Sequence, residues 1–162
     1  MTKAKKPIPD GYHTLTPHMV LKDAAKAIEF YKKAFGAVEM GRMPGPDGKI
    51  MHAEIKIGTS PVMLCDEFPE MGALSAETIG KVSTYFFLYV EDVDAAFEKA
   101  VDAGCVGELE PVDMFWGDRY SKLVDPFGNK WSIGSRIEDL SPEEIAERGK
   151  EFMKQTSGCG AQ

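Results

Sequence analysis

Two histidines and a glutamate carry the sharpest chemistry in this chain. His52 and Glu54 stand two positions apart in an alternating run over residues 49–58, so a strand there puts both on one face. His18 ends an earlier alternating run and joins them if its strand lies beside theirs. Two imidazoles and a carboxylate form the donor set of a 2-His-1-carboxylate iron centre. A plainer reading stands beside it, in which His52 bonds a backbone group and Glu54 faces a wet cavity. A third reading makes Glu54 a general base or a hydrogen-bond acceptor for a ligand, and partial burial is expected to raise its pKa.

A second group lies later in the chain. Trp116, Asp118 and Arg119 enter a strand together. Arg119 could clamp an anion through both arms of its guanidinium while Trp116 walls a pocket. Alternatively, Arg119 pairs with Asp118 or Glu54 and the indole packs over a helix. Tyr85, Phe87 and Tyr89 share a strand face and either line a pocket or fill it. Neither a nucleophile elbow nor a phosphate loop is found, and the run 41–48 lacks the Lys-Ser/Thr pair of a phosphate loop, so it reads as a turn. Cys65, Cys105 and Cys159 have no CxxC spacing and read as reduced thiols.

The elements that must hold these residues can be read from periodicity. A strand is expected through about residue 20, followed by a helix with Asp23 as N-cap and Gly36 as its stop. Ala24, Ala27, Ile28, Tyr31 and Phe35 fall on one helical face. Strands follow near 38–43, at 49–58, with Met51, Ala53, Ile55 and Ile57 alternating against polar residues, and at 61–65. Residues 66–82 break the regularity and read as a connection or flap. The pattern then restarts, with a strand at 84–90, Asp92 standing where Asp23 stood, and a helix closed by Gly104. Further strands are expected at 106–109, 118–124 and 130–134. Repeated element order argues for a doubled module. A last helix opens with the capping box of Ser141 and Glu144 and carries Ile145, Gly149, Phe152 and Met153 on one face.

This gives loose tails at 1–11 and 157–162 and one domain over 12–136. The domain divides into modules at 12–66 and 83–136 joined by 67–82, and a helical extension follows at 137–156. Each strand has one apolar side for a helix. The other sides carry Thr14, Thr16 and His18, then His52 and Glu54, then the aromatic row, then Lys130 and Ser132. A sheet built this way curves around a hollow, the usual form of a small-molecule site. The chain is 162 residues long with 43% hydrophobic residues, enough for a sizeable core. A net charge of −7, with basic residues clustered only at Lys3, Lys5 and Lys6, argues against nucleic acid. With no long apolar run and no leader, a cytoplasmic location and no membrane partner are expected.

Three segments carry a family resemblance. Residues 22–36, with Asp23, Ile28, Phe30 and Tyr31 in a D-x-x-x-x-I-x-F-Y pattern, resemble the first helix of the vicinal oxygen chelate superfamily, which includes the glyoxalases, bleomycin-resistance proteins and dioxygenases. Residues 48–58 and 115–131 are similar to its PhnB-like branch. The resemblance implies an α+β fold of two tandem βαβββ modules forming a cupped mixed sheet with helices outside, usually as a homodimer. Its metal-bearing members take one donor from each of four strands. Those positions fall here on Thr16, Glu54, Tyr85 and Ser132, of which Glu54 alone is a competent ligand. The resemblance therefore implies no metal, while a slip of two residues would offer His18 or His52 and a divalent ion.

The expected function is the binding of a small anionic or aromatic molecule in the hollow by Thr16, His18, His52, Glu54, Tyr85, Phe87, Trp116, Arg119 and Ser132. Two alternatives remain, a metal-dependent lyase or dioxygenase using His18, His52 and Glu54, and an antibiotic-sequestering resistance protein.

Overall fold

The computed structural model describes residues 6–45 and 47–157. The loose tails expected at 1–11 and 157–162 therefore fall partly outside the described residues, and Cys159 does so wholly. In chain order the elements are β1 (His18–Leu21), α1 (Ala24–Phe35), β2 (Val38–Pro44), β3 (Ile50–Ile57) and β4 (Ser60–Asp66), then a short α2 (Ala76–Ile79). The second set is β5 (Tyr85–Tyr89), α3 (Val93–Ala103), β6 (Val106–Asp113), β7 (Asp118–Val124) and β8 (Lys130–Arg136), followed by α4 (Pro142–Ser157).

The repeat is topological as well as sequential. The strands order as β1-β4-β3-β2 in one sheet and β5-β8-β7-β6 in the other. In each, the first strand runs parallel to the last and the other pairings are antiparallel. The two helix caps match. Asp23 accepts from the amide of Lys26 at 3.0 Å and Asp92 from that of Ala95 at 3.0 Å, satisfying amides that a helix start leaves open. This is the expected α+β architecture of two βαβββ modules.

The strand expected to carry Thr14, Thr16 and His18 begins only at His18. Pro17 has no N–H to give a ladder, and the chain before it turns, with the Thr16 hydroxyl donating to the His13 carbonyl at 3.3 Å. Thr14 and Thr16 therefore do not share a strand face with His18. The strand expected to end at 109 continues through Pro111 to Asp113 as the edge strand of its sheet, where a missing amide costs little.

One core joins the modules. Leu21, Ile28, Ile55 and Leu64 from the first meet Leu123, Trp131 and Ile133 from the second, all fully or almost fully buried. The rings of Phe35 and Trp131 lie 4.5 Å apart and those of Phe30 and Phe127 5.7 Å apart. A polar lock sits among them. The Asp125 carboxylate, buried in the turn between β7 and β8, accepts from the Tyr31 hydroxyl at 2.8 Å and from the Trp131 indole at 2.9 Å. It also accepts from the amides of Phe127 and Asn129 at 2.9 and 2.8 Å. A buried carboxylate this well supplied with donors is stable inside, and Tyr31 belongs to the other module. α1 thereby fixes how the two sheets face one another.

Candidate functional site

The first strand of each sheet is an edge, and the gap between β1 and β5 is a cleft of about 750 Å³. Tyr85 and Phe87 form one wall, and His18 and Pro61 the other. Trp131 and Asn129 lie at the floor, and α2 with Lys81, Ser83 and Thr84 closes one end. That volume suits a small organic ligand. α2 is pinned by Glu67, which accepts from the Ser75 hydroxyl at 2.8 Å, the Ser75 amide at 3.1 Å and the Thr78 hydroxyl at 2.7 Å. Those donors, Thr78 foremost, hold the Glu67 carboxyl below its usual range.

On the open face of the first sheet the alternation of β3 turns Ala53, Ile55 and Ile57 inward and leaves His52, Glu54 and Lys56 half-buried outside. The Tyr12 hydroxyl donates to Glu54 at 2.5 Å, and His52 Nε2 lies 3.2 Å from the other carboxylate oxygen. The His18 and His52 rings meet edge to face at 6.1 Å. Glu54 is not the raised-pKa base that partial burial alone would make. The Tyr12 hydrogen bond, then the one with His52, outweighs desolvation and holds its carboxyl below the usual value. The same contact pushes the Tyr12 hydroxyl up. A lowered carboxylate with both oxygens engaged accepts protons poorly and orients its neighbours well.

The open face of the second sheet is aromatic. Phe87 lies 4.8 Å from Tyr89 and stacks on Tyr120 at 5.8 Å, and Trp116 meets Tyr120 edge-on at 5.6 Å. Gly134 makes room for this, because a Cβ there would stand 2.8 Å from Phe87 Cζ. The Tyr120 hydroxyl and Ser132 hydroxyl share a 2.8 Å hydrogen bond, and the Trp116 indole donates to the buried Asp118 at 3.2 Å. Lys122 and Lys130 stand over Tyr85 at 5.9 and 5.6 Å from its ring centre. Lys130 is also paired with Glu108 at 2.8 Å, whereas Lys122 has no ion-pair partner among the described residues.

The expected residues thus do not all share one hollow. His18, Tyr85 and Phe87 line the cleft. His52 and Glu54 adjoin it through His18, and Trp116 and Ser132 adjoin it through Tyr120 and Phe87. Thr16 sits in the turn before β1, between Leu15 and Pro17 of the cleft wall. Arg119 points to the helix side, where it bonds Asp94 at 2.5 and 2.6 Å and Asp113 at 2.7 Å. It has the structural pairing considered for it, with Asp94 of α3 in place of Asp118 or Glu54. Parity gives the reason, since Arg119 alternates with Tyr120 on β7.

Sequence reasoning passed over Tyr12, Tyr120, Lys122 and α2. Tyr120 and Lys122 share the parity of Asp118, a signal that was available. Tyr12 and α2 reach the site through loops, for which periodicity gives no sign. Among the described residues no three of His, Cys, Asp or Glu converge closely enough to hold a metal ion. The Thr16 and Ser132 hydroxyls and the Tyr85 phenol make poor donors beside Glu54. This donor set does not fit the metal that the fold family implies.

Comparison with known proteins agrees with the topology. The profile of the glyoxalase/bleomycin resistance protein/dioxygenase superfamily matches residues 13–133. The Mycobacterium tuberculosis protein Rv0887c is 45% identical over 134 residues, which are 81% of this chain and 79% of that one. The Arabidopsis thaliana protein At5g48480 is 36% identical over 136 residues, 77% of this chain and 81% of its own. Its crystal structure superposes with a TM-score of 0.61 at 28% identity, covering 75% of this chain and 98% of that one. A Bacillus cereus structure described as a PhnB protein and putative 3-demethylubiquinone-9 3-methyltransferase shares the fold, with a TM-score of 0.56 at 16% identity over 76% of this chain and 99% of that one.

Proposed function

The chain belongs to the glyoxalase/bleomycin resistance protein/dioxygenase superfamily, and on that premise we propose that it binds a small aromatic molecule carrying an anionic group, without a metal ion. The observation that carries this is the cleft between β1 and β5, where Tyr85 and Phe87 face His18 and the Lys122 ammonium stands over the same Tyr85 ring. A flat apolar ligand gains area and stacking against the tyrosine and phenylalanine, and its anion gains Lys122. The metal-free reading rests on donor chemistry, because Glu54 alone of the four family positions is a metal ligand of ordinary strength. The PhnB-like assignment rests on residues 48–58 and 115–131.

We propose further that the working form is a homodimer. Tyr85, Phe87 and Tyr89 are 47%, 44% and 71% exposed, a contiguous aromatic face that monomers seldom leave in water. A second copy would cover it and deepen the cleft. No helix among the described residues is long and apolar enough to cross a membrane.

The test is a thermal-shift screen of aromatic carboxylates and sulfonates against the protein and its Lys122→Ala and Phe87→Ala variants. Ligands that stabilise the parent and lose their effect in both variants support the reading. Stoichiometric zinc, nickel or iron in untagged protein, lost in His18→Ala and Glu54→Ala, would overturn it in favour of the metalloenzyme. Light scattering that returns a monomer at micromolar concentration ends the dimer proposal separately.

A further inference from the structure

α4 lies beyond the residues 13–133 that the superfamily profile matches, so the shared fold does not account for it. It carries Gly149 in its interior, where glycine weakens a helix by roughly 1 kcal/mol relative to alanine. Packing gives the reason. A Cβ at Gly149 would stand 3.1 Å from Phe115 Cε2, and the Phe152 ring lies 5.2 Å from the Phe115 ring. The helix thus presses closely on one aromatic residue of the β6–β7 turn.

The segment leading into α4 grips the same turn. The amides of Ile137 and Glu138 both donate to the Gly117 carbonyl, at 2.9 and 3.0 Å. Gly117 has a φ of +92°, and a Cβ there would stand 2.9 Å from the Glu138 carbonyl oxygen, so glycine is required on both counts. Arg148 of α4 bonds Glu138 and closes the loop back on the helix. The turn 114–117 is therefore held from the α4 side at Phe115 and at Gly117.

From Phe115 the contacts run on without a break into the aromatic wall. Phe115 meets Trp116 edge-on at 5.0 Å, Trp116 meets Tyr120 at 5.6 Å, and Tyr120 stacks on Phe87 at 5.8 Å. Trp116 stands between Phe115, which α4 contacts, and Tyr120 of the wall. Its place follows from that of Phe115 beside it and from its bond to Asp118. We propose that α4 is a brace that sets the position of Trp116, and through it the shape of the aromatic wall that selects the ligand. Gly149 and Phe152 are then positioning residues for ligand size. This rests on the reading of the wall as a ligand surface.

The chain has two tryptophans, and Trp131 is buried to 1% exposure, so acrylamide quenching reports on Trp116 and a Trp116→Phe variant fixes the baseline. Gly149→Leu, Phe152→Ala and a control at the exposed Lys150, Lys150→Ala, are compared with the parent in quenching, in thermal midpoint and in affinity for 1-anilinonaphthalene-8-sulfonate. Quenching is expected to rise about twofold or more in both brace variants. Affinity should fall about three- to tenfold, the range for losing one aromatic contact, with Phe152→Leu restoring part of it and Lys150→Ala matching the parent. Unchanged quenching in both folded brace variants overturns the proposal. So does altered quenching with unaltered probe affinity, because the brace then has no bearing on ligand choice. If Trp116→Phe and Phe87→Ala bind the probe as the parent does, or the parent binds none, the wall is not a ligand surface. That result sinks the functional reading, while quenching alone still decides whether α4 positions Trp116.

Discussion

Replacing Tyr31 with phenylalanine should weaken the whole molecule, because its hydroxyl joins one module to the other. The hydroxyl donates at 2.8 Å to a carboxylate that is 4% exposed, and Tyr31 is itself fully buried. A hydrogen bond to a charged group contributes about 1.5–3 kcal/mol. Asp125 keeps the Trp131 indole and two backbone amides after the change, so the loss belongs at the lower end, about 1.5–2 kcal/mol. For a chain of this size that lowers the thermal midpoint by roughly 3–8 °C. Urea unfolding followed by tryptophan fluorescence measures it directly, and an unchanged m-value would show that cooperativity survives.

Asp125→Ala should cost more, about 3–5 kcal/mol, because it strands the hydroxyl, the indole and two amides together. On that background Tyr31→Phe should cost nothing or stabilise slightly, since it removes a hydroxyl left without an acceptor for its proton. The sign with pH is also fixed. Burial first, then the Asp125 charge, pushes the Tyr31 hydroxyl well above its ordinary value. The folded state then keeps a proton that the unfolded chain loses near pH 10. This share of stability is complete below about pH 10 and falls as pH rises further, and Tyr31→Phe lacks that decline. A loss below about 0.5 kcal/mol, or the same loss in both backgrounds, would refute the coupling between modules.

Three other outcomes can be checked with the same protein. NMR titration should find the Glu54 carboxyl below its ordinary range and Tyr12→Phe should move it upward, because Tyr12 is the first cause of the lowering; the associated stability is present above the ordinary carboxyl value and lost as pH falls through the folded one. Cys105, whose thiol burial and the Asp125 charge push up to about 12, should resist a disulfide exchange reagent in folded Cys159→Ser protein and react at once in urea. Rapid labelling in the native state would contradict its burial. Gly134→Ala sets a Cβ 2.8 Å from Phe87 Cζ, so it should destabilise by about 1–3 kcal/mol and weaken an aromatic probe, and unchanged values in both would mean that the ring moves freely.

Residue order alone determined much of this protein, because its information is local. Asp23 and Asp92 announce two helix starts, Gly36 and Gly104 their ends, and the alternation in residues 49–58 decides which side of β3 holds His52 and Glu54. Those signals depend on caps, turns and a period of two, which need no knowledge of distant neighbours. The doubled module and one face of the site were legible for that reason.

Tertiary structure decided the rest. Pro17 shortened β1 and left Thr16 in a turn. Parity turned Arg119 to the helix side, but no pattern within one strand reveals that Asp94, 25 residues away, meets it there. The depressed carboxyl of Glu54 required Tyr12 to arrive from a loop 42 residues earlier. The cleft itself exists because α1 reaches into the second module and holds Asp125, which sets the edges of β1 and β5 apart by packing at long range. Strand periodicity specifies the side on which a residue lies. The group that meets it there depends on how separate elements pack.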